Sequence, residues 1–235
     1  MKKFETLEDF YQVYSDHRTY VKAEVRKKHI RRFDSQIWLP AQMTAQHSVL
    51  ELGCGAGLFL AYLEAKGVSK FIGIDSDPKG REYMPDPIAD KVILGDIWAE
   101  IEKLNAKSER FDRIVMIDVF EHFSFVEGQQ LLVALKGVLT ADGKIVIRVP
   151  NAASPFAMQY QYGDVTHKAA YAPGAMELVA LAADYRVEKF LPVKRGHIAK
   201  QLVETVIFGI LNKILTDPPP LWQANMIAIL SHKTA

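Results

Sequence analysis

From residue 48 onward the chain alternates short, almost wholly apolar runs with segments of helical periodicity. That alternation restricts the fold more than any other feature. The runs cover 49–52, 71–74, 92–94, 114–117 and 145–149. Apolar runs this short suit strands buried on both faces of a parallel sheet. Helix-like segments over 58–66, 97–104 and 126–139 separate them, and Pro78, Pro85 and Pro87 break up the link after residue 75. Strands alternating with helices of this length predict βαβ units and an α/β, doubly wound sheet. Further on the pattern predicts a helix over 173–183, a strand over 187–193, a long helix over 199–215 and a strand over 226–230.

The stretch Val49-Leu50-Glu51-Leu52-Gly53-Cys54-Gly55-Ala56-Gly57 runs from an apolar strand into glycines at alternate positions, directly before a helix. Such glycines permit a tight turn and close approach of backbone N–H groups to a ligand, and the helix N-terminus adds partial positive charge. Dinucleotide enzymes also use strand, glycine loop and helix. Their G-x-G-x-x-G spacing differs, because here Leu58 stands where the third glycine belongs. An acidic Glu51 is also ill suited to a loop that cradles a pyrophosphate, and suits a ligand carrying positive charge. Asp75 follows Gly53 by 22 residues, near the roughly 20-residue spacing of a carboxylate that binds ribose hydroxyls. A turn or helix-cap aspartate is the alternative. Asp96 ends the third run, placed to meet an adenine amino group, with Ile97 or Trp98 to cover the ring.

The segments VLELGCGAG, FIGIDSDP, LGDIW, FDRIVMIDVFEHF and LTADGKIVIRVPN, in this order across about 48–151, resemble those of class I S-adenosylmethionine-dependent methyltransferases. The resemblance implies a Rossmann-like, seven-stranded sheet, mostly parallel, whose one antiparallel strand is the final 226–230 run. It implies S-adenosylmethionine as cofactor and S-adenosylhomocysteine as product. Gly53 and Gly55 would pass under the methionine portion, with Cys54 a small packing residue beside it. Asp75 with Ser76 would face the ribose, Asp96 the adenine N6, and Ile97 the ring. Asp118 and Val119 would lie beside the amino group and the transferred methyl, and Glu51 would act on the methionine end.

The flanks carry the remaining questions. Residues 1–47 read as an N-terminal helical cap and 48–235 as the cofactor-binding domain, with a substrate-site insertion at about 151–173. In the cap, Leu7, Phe10, Tyr11 and Tyr14 fall on one helix face. A second helical segment, 20–38, closes at Pro40 and carries Lys22, Arg26, Lys27, Lys28, Arg31 and Arg32. That basic cluster offers an anchor for an anionic substrate group or a solvated helix face, and the solvated face is expected. The stripe at 202, 203, 206, 207, 210, 211 and 214 could form a homodimer face or a membrane-surface helix. Packing against the sheet is the expected use.

A formal net charge of +1 tells against a chain built to neutralise nucleic acid. A single cysteine, Cys54, excludes an internal disulfide and a Cys/His zinc framework. The opening residues lack the apolar core of a signal peptide, and no stretch reaches the roughly 18 apolar residues of a membrane span. The expectation is a cytoplasmic protein acting on a small-molecule acceptor.

Methyl transfer to a hydroxyl benefits from a base. The candidates are His122 and His167, the latter beside Asp164, which could orient and charge-stabilise an imidazole. Some relatives bind a divalent metal through a Glu-x-x-Glu-His pattern. Here Asp118 stands at its first position, ahead of Glu121 and His122, and no metal is expected. Residues 149–155, Gly163 to His167 and Tyr171, with the closing Asn225-Met226-Ile227-Ala228, resemble methyltransferases of bacterial surface-polysaccharide and secondary-metabolite pathways. For these a sugar or metabolite hydroxyl is the usual acceptor. Competing readings are a nucleic-acid methyltransferase using the 22–32 cluster, a cofactor-binding partner without catalysis, and an NAD-dependent oxidoreductase.

Overall fold

Strand pairing carries the framework. β1 (Val49–Leu52) lies in parallel between β2 (Phe71–Asp75) and β4 (Phe111–Ile117). β3 (Val92–Leu94) extends the sheet beyond β2, and β5 (Leu139–Pro150) extends it beyond β4, both in parallel. β7 (Asn225–His232) runs antiparallel between β5 and β6 (Tyr185–Pro192). The order is β3-β2-β1-β4-β5-β7-β6, a seven-stranded Rossmann-like sheet with the predicted closing strand inserted antiparallel. The computed structural model describes residues 4–11, 13 and 19–233, the side chain of Glu8 excepted.

Helices cover both faces. Beneath one, α1 (Lys27–Phe33), α2 (Leu58–Ala65) and the short α3 (Pro78–Arg81) and α4 (Asp86–Ala89) accompany a core of Phe33, Phe59, Tyr62, Val115 and Ile229. On the other, α5 (Ile97–Ala106), α6 (Phe125–Leu135) and α8 (Pro173–Ala182) enclose Leu52, Ile114, Leu131, Ile147 and Met176. Local chemistry sets the helix starts. Ser124 and Glu127 form a reciprocal capping box on α6, the Ser124 hydroxyl accepting from Glu127 N–H at 3.3 Å and the Glu127 carboxylate from Ser124 N–H at 2.7 Å. α6 stops at Leu135, earlier than its periodicity predicts, because Leu139 is taken up by pairing with Phe111.

Two expectations need correction. The segment 20–26 is not helical: Ala23 N–H bonds to the Tyr83 carbonyl and α1 begins only at Lys27, followed by a π-turn over Asp34–Trp38. At the start, Leu7–Phe10 forms a 3-10 turn, and Tyr14 lies outside the described residues. The long helix α9 (Ile198–Ile214) does not pack its stripe on the sheet. None of its residues is buried, and Leu202, Val203, Val206 and Ile210 are all more than half exposed. Its inward contacts are the Phe208 ring, parallel to Trp222 at 5.3 Å, and the Asn212 carbonyl, which accepts from the Trp222 indole N–H at 2.7 Å. No described helix is long and apolar enough to cross a membrane. The 151–173 segment is irregular apart from the one-turn α7 (Met158–Gln161).

Candidate active site

The C-terminal ends of β1 to β4 open into a cavity of about 530 Å³. Ligands of open α/β sheets bind at this edge, where the strand order reverses. Gly53 turns the chain out of β1 at φ +68°, and a Cβ there would meet Val119 Cγ2 at 2.3 Å. Any other residue would push that wall into the cavity. Asp75 ends β2, its carboxylate accepting from Gly55 N–H at 2.7 Å and Asp77 N–H at 2.9 Å. One carboxylate thereby ties the glycine loop to the neighbouring strand while its residue lines the cavity. Asp96 uses one oxygen to cap α5, accepting from Ala99 N–H at 3.1 Å.

Of the sequence-predicted cofactor residues, Gly53, Asp75, Ser76, Asp96, Ile97, Asp118 and Val119 line this cavity, and Glu51, Cys54 and Gly55 do not. Glu51 is buried on β1. Among the described residues its Oε2 has no hydrogen-bond partner. Burial first, then the field of Asp75, pushes its carboxyl well above the ordinary range. Cys54 is a buried free thiol packed against Gly73 and pushed far up by burial, hence no nucleophile. Sequence reasoning missed Tyr11, whose hydroxyl lies 3.2 Å from His122 Nδ1, and Phe123, edge-to-face with Trp98 at 5.8 Å. It also missed Arg148. This arginine sits inside the apolar 145–149 run of β5 and grips Asp118 through Nε, at 2.8 Å from Oδ1, and through its Nη2 on Oδ2. The signal was a charge in an otherwise apolar run.

Beside His122 the irregular segment supplies His167. The two rings stand 4.7 Å apart, edge to face. His167 Nδ1 lies 3.0 Å from the Gln161 carbonyl. A carbonyl only accepts, so Nδ1 carries the proton and Nε2 is the basic nitrogen. Nε2 faces Glu121 Oε1 at 4.0 Å and Asp164 Oδ2 at 3.9 Å. The imidazole is therefore oriented by Gln161, with the Asp164 carboxylate standing beside Nε2. Asp164 instead accepts from the Thr166 hydroxyl and N–H at 2.5 and 2.9 Å, and the Thr166 oxygen meets His122 Nδ1 at 3.0 Å. Buried Glu121 is pushed up by burial and then by Asp118, and its Oε2 has no partner among the described residues. Ligating atoms of His122, Asp164 and His167 all lie within 4.8 Å of one another.

The basic cluster divides. Lys22, Arg26, Lys27, Lys28 and Arg31 are exposed, as a solvated face requires, whereas Arg32 is half-buried.

Sheet order, glycine loop and the acids at the ends of β2 and β3 define a class I S-adenosylmethionine-dependent methyltransferase. The chain belongs to the methyltransferase domain family, which matches residues 17–188, and its cofactor is S-adenosylmethionine. No curated protein matches it. Among solved structures it is similar to a SAM-dependent methyltransferase from Archaeoglobus fulgidus, at 19% identity and TM-score 0.65 over 94% of this chain and 99% of that one. It is similar to the mitomycin 7-O-methyltransferase MmcR at 13% identity and TM-score 0.55, over 80% of this chain and 50% of that one. The S-adenosylhomocysteine-bound form of CalO1, a methyltransferase in calicheamicin biosynthesis, matches at 12% identity and TM-score 0.55, over 96% of this chain and 58% of that one.

The cavity suits the cofactor. Asp75 and Asp96 offer acceptors for hydroxyl and amino donors, and Ile97, Trp98 and Phe123 supply apolar walls.

Proposed function

We propose that this chain catalyses methyl transfer to a hydroxyl oxygen of a small molecule, with His167 as the proton acceptor. When bound, S-adenosylmethionine supplies a methyl already activated by sulfonium charge. Asp75, Ser76 and Asp96 hold its nucleoside end, and Gly53, Asp118 and Val119 border its methionine end, with Glu51 acting from behind. Aligning the acceptor with that methyl and shedding one proton is the work left to the protein. His167 Nε2 takes the hydroxyl proton, and the nearby Asp164 carboxylate stabilises the resulting imidazolium. His122, which lines the cofactor cavity and stacks edge-on against His167, positions that pair.

The observation that carries this reading is the bond between His167 Nδ1 and the Gln161 carbonyl, which leaves Nε2 as the proton-accepting nitrogen, one ring away from the cofactor cavity that His122 lines. A small acceptor is supported by the near-neutral chain and by the dispersal of the 22–31 cations into solvent. The name of the mitomycin 7-O-methyltransferase is in keeping with it. A metal-assisted form of the same reaction is the second reading, favoured by the convergence of His122, Asp164 and His167. Activity that survives chelation supports the base reading, and loss restored by a divalent ion supports the metal.

Incubating cell extract with methyl-labelled S-adenosylmethionine and the protein tests the function. A single labelled small molecule, stable to alkali as an ether is, fits the proposal. Label confined to nucleic acid contradicts it.

A further inference from the structure

A second cavity, of about 380 Å³, opens on the same edge of the sheet between α9, α7 and the start of β7. We propose that it holds the methyl acceptor, and that the acceptor is a planar, multi-ring hydroxyaromatic compound bearing a carboxylate. The assignment rests on the methyl-transfer function proposed above and extends it to a substrate class.

The cavity is built rather than left over. Trp222 forms an immobile wall: its carbonyl accepts from the Ser154 hydroxyl at 2.6 Å and its indole N–H donates to Asn212. Asn151 fastens the same segment, donating to the carbonyls of Leu221 and Gln223 at 2.8 and 3.1 Å. This is the structural use of the Pro150-Asn151-Ala152-Ala153-Ser154 stretch. Phe208 lies parallel to Trp222 and Phe156 packs against Phe208 at 5.9 Å, so the pocket offers ring faces, which select flat apolar bodies. Asn225, only 4% exposed, lines the cavity, and its side-chain carbonyl has no partner among the described residues. It calls for a further donor on the natural ligand, a hydroxyl or amine besides the hydroxyl that is methylated.

The charge pattern selects an acid. Arg195 lines the cavity, its guanidinium 4.9 Å above the Tyr160 ring and bonded to the Tyr160 hydroxyl at 3.1 Å. Half-buried Arg32 has an Nε without a partner among the described residues, and it lies close enough to Arg195 and Arg148 for their fields to lower its own proton affinity, after burial. Glu204 also lines the cavity, but Arg195 and the neighbouring Arg32 outnumber it, and the excess positive charge favours an anionic group. It also tells against a quaternary ammonium, which the aromatic walls alone would admit.

The position links the pocket to the chemistry. α7 presents Tyr160 and Gln159 to this cavity, and its Gln161 carbonyl holds His167. Asn225 pairs with Pro150, and Arg148 pairs with Ile117 just before Asp118. The pocket thus stands two strands from Asp118, about 10 Å at ordinary strand spacing. A body of two fused rings, with its acid held at Arg195, reaches across these strands and directs its hydroxyl toward the cofactor cavity at Asp118.

The test is calorimetric titration of 6-hydroxy-2-naphthoate into the full chain saturated with S-adenosylhomocysteine, beside 2-naphthol, which lacks the carboxylate. We expect one naphthoate site. Arg195→Gln, at an exposed position, should weaken naphthoate at least tenfold and leave 2-naphthol nearly unchanged. Trp222→Leu should weaken both, and Trp222→Phe should restore them. Affinity for S-adenosylhomocysteine should be the same in all variants. Absence of naphthoate binding to the loaded protein overturns the assignment, as does naphthoate affinity indifferent to Arg195→Gln or tighter binding of trimethylphenylammonium. Failure to bind S-adenosylhomocysteine would instead strike at the methyltransferase function itself.

Discussion

Asp118 and Arg148 clasp one another at the ends of β4 and β5 through two parallel hydrogen bonds. The clasp holds Asp118 at φ +57°, a left-handed conformation that residues other than glycine adopt rarely. Burial opposes charge on Arg148, yet the fields of Asp118, Glu121 and Glu51 outweigh it and hold the guanidinium above its ordinary value. A single cation thereby serves three carboxyl groups around the candidate active site.

Removing that cation should therefore be costly. Arg148→Gln takes this cation from Asp118 and from two buried acids, a loss of roughly 1.5–3 kcal/mol, less than for a fully buried pair because the Asp118 side chain is 40% exposed. For a chain of this size that lowers the melting temperature by about 3–12 °C. Calorimetric melting checks it, and an unchanged midpoint would show that the clasp contributes nothing to the fold.

Glu51 gives a pH signature whose sign follows from its raised pKa. The unfolded chain releases this proton near the ordinary value of 4.5, whereas the folded chain retains it to higher pH. Over that window the native state binds more protons, so its stability falls as pH rises from 4.5 toward the folded value. Glu51→Gln abolishes this loss. The cofactor-free variant should melt several degrees above wild type at pH 8 and together with it near pH 4. A gap in melting temperature independent of pH would refute the buried-acid account.

With an acceptor in hand, His167→Ala should lower kcat by about 10²–10⁴ and leave cofactor affinity at its wild-type value. His122→Ala should give a smaller loss, since His122 positions rather than accepts. Steady-state kinetics beside calorimetry separates the two effects. Full turnover in both variants removes proton transfer to either ring from the mechanism.

The sheet was legible because its strands are buried on both faces and therefore nearly free of polar residues, so 49–52 and 92–94 match β1 and β3 to the residue. That Gly53, Asp75 and Asp96 line one cavity was legible for a related reason: a glycine loop and acids at strand ends are local patterns. What escaped was long-range. Tyr11 reaches His122 from 111 positions away, and no periodicity announces such a contact. Asp164 and His167, close in sequence, suggested a pair, but nothing in the sequence announced the Gln161 carbonyl that holds the imidazole. The stripe of α9 misled because amphipathic spacing says that a face is apolar and not what covers it.

We propose that Asp75 holds S-adenosylmethionine in the cavity at the ends of β1 to β4. Titration of S-adenosylhomocysteine by calorimetry into wild type, Asp75→Asn and Asp75→Ala tests it most directly. Loss of a charged acceptor facing hydroxyl donors should weaken binding by about 10- to 150-fold, with Asp75→Ala losing more because the tie to Gly55 also goes. Equal affinity in all three proteins would contradict the account.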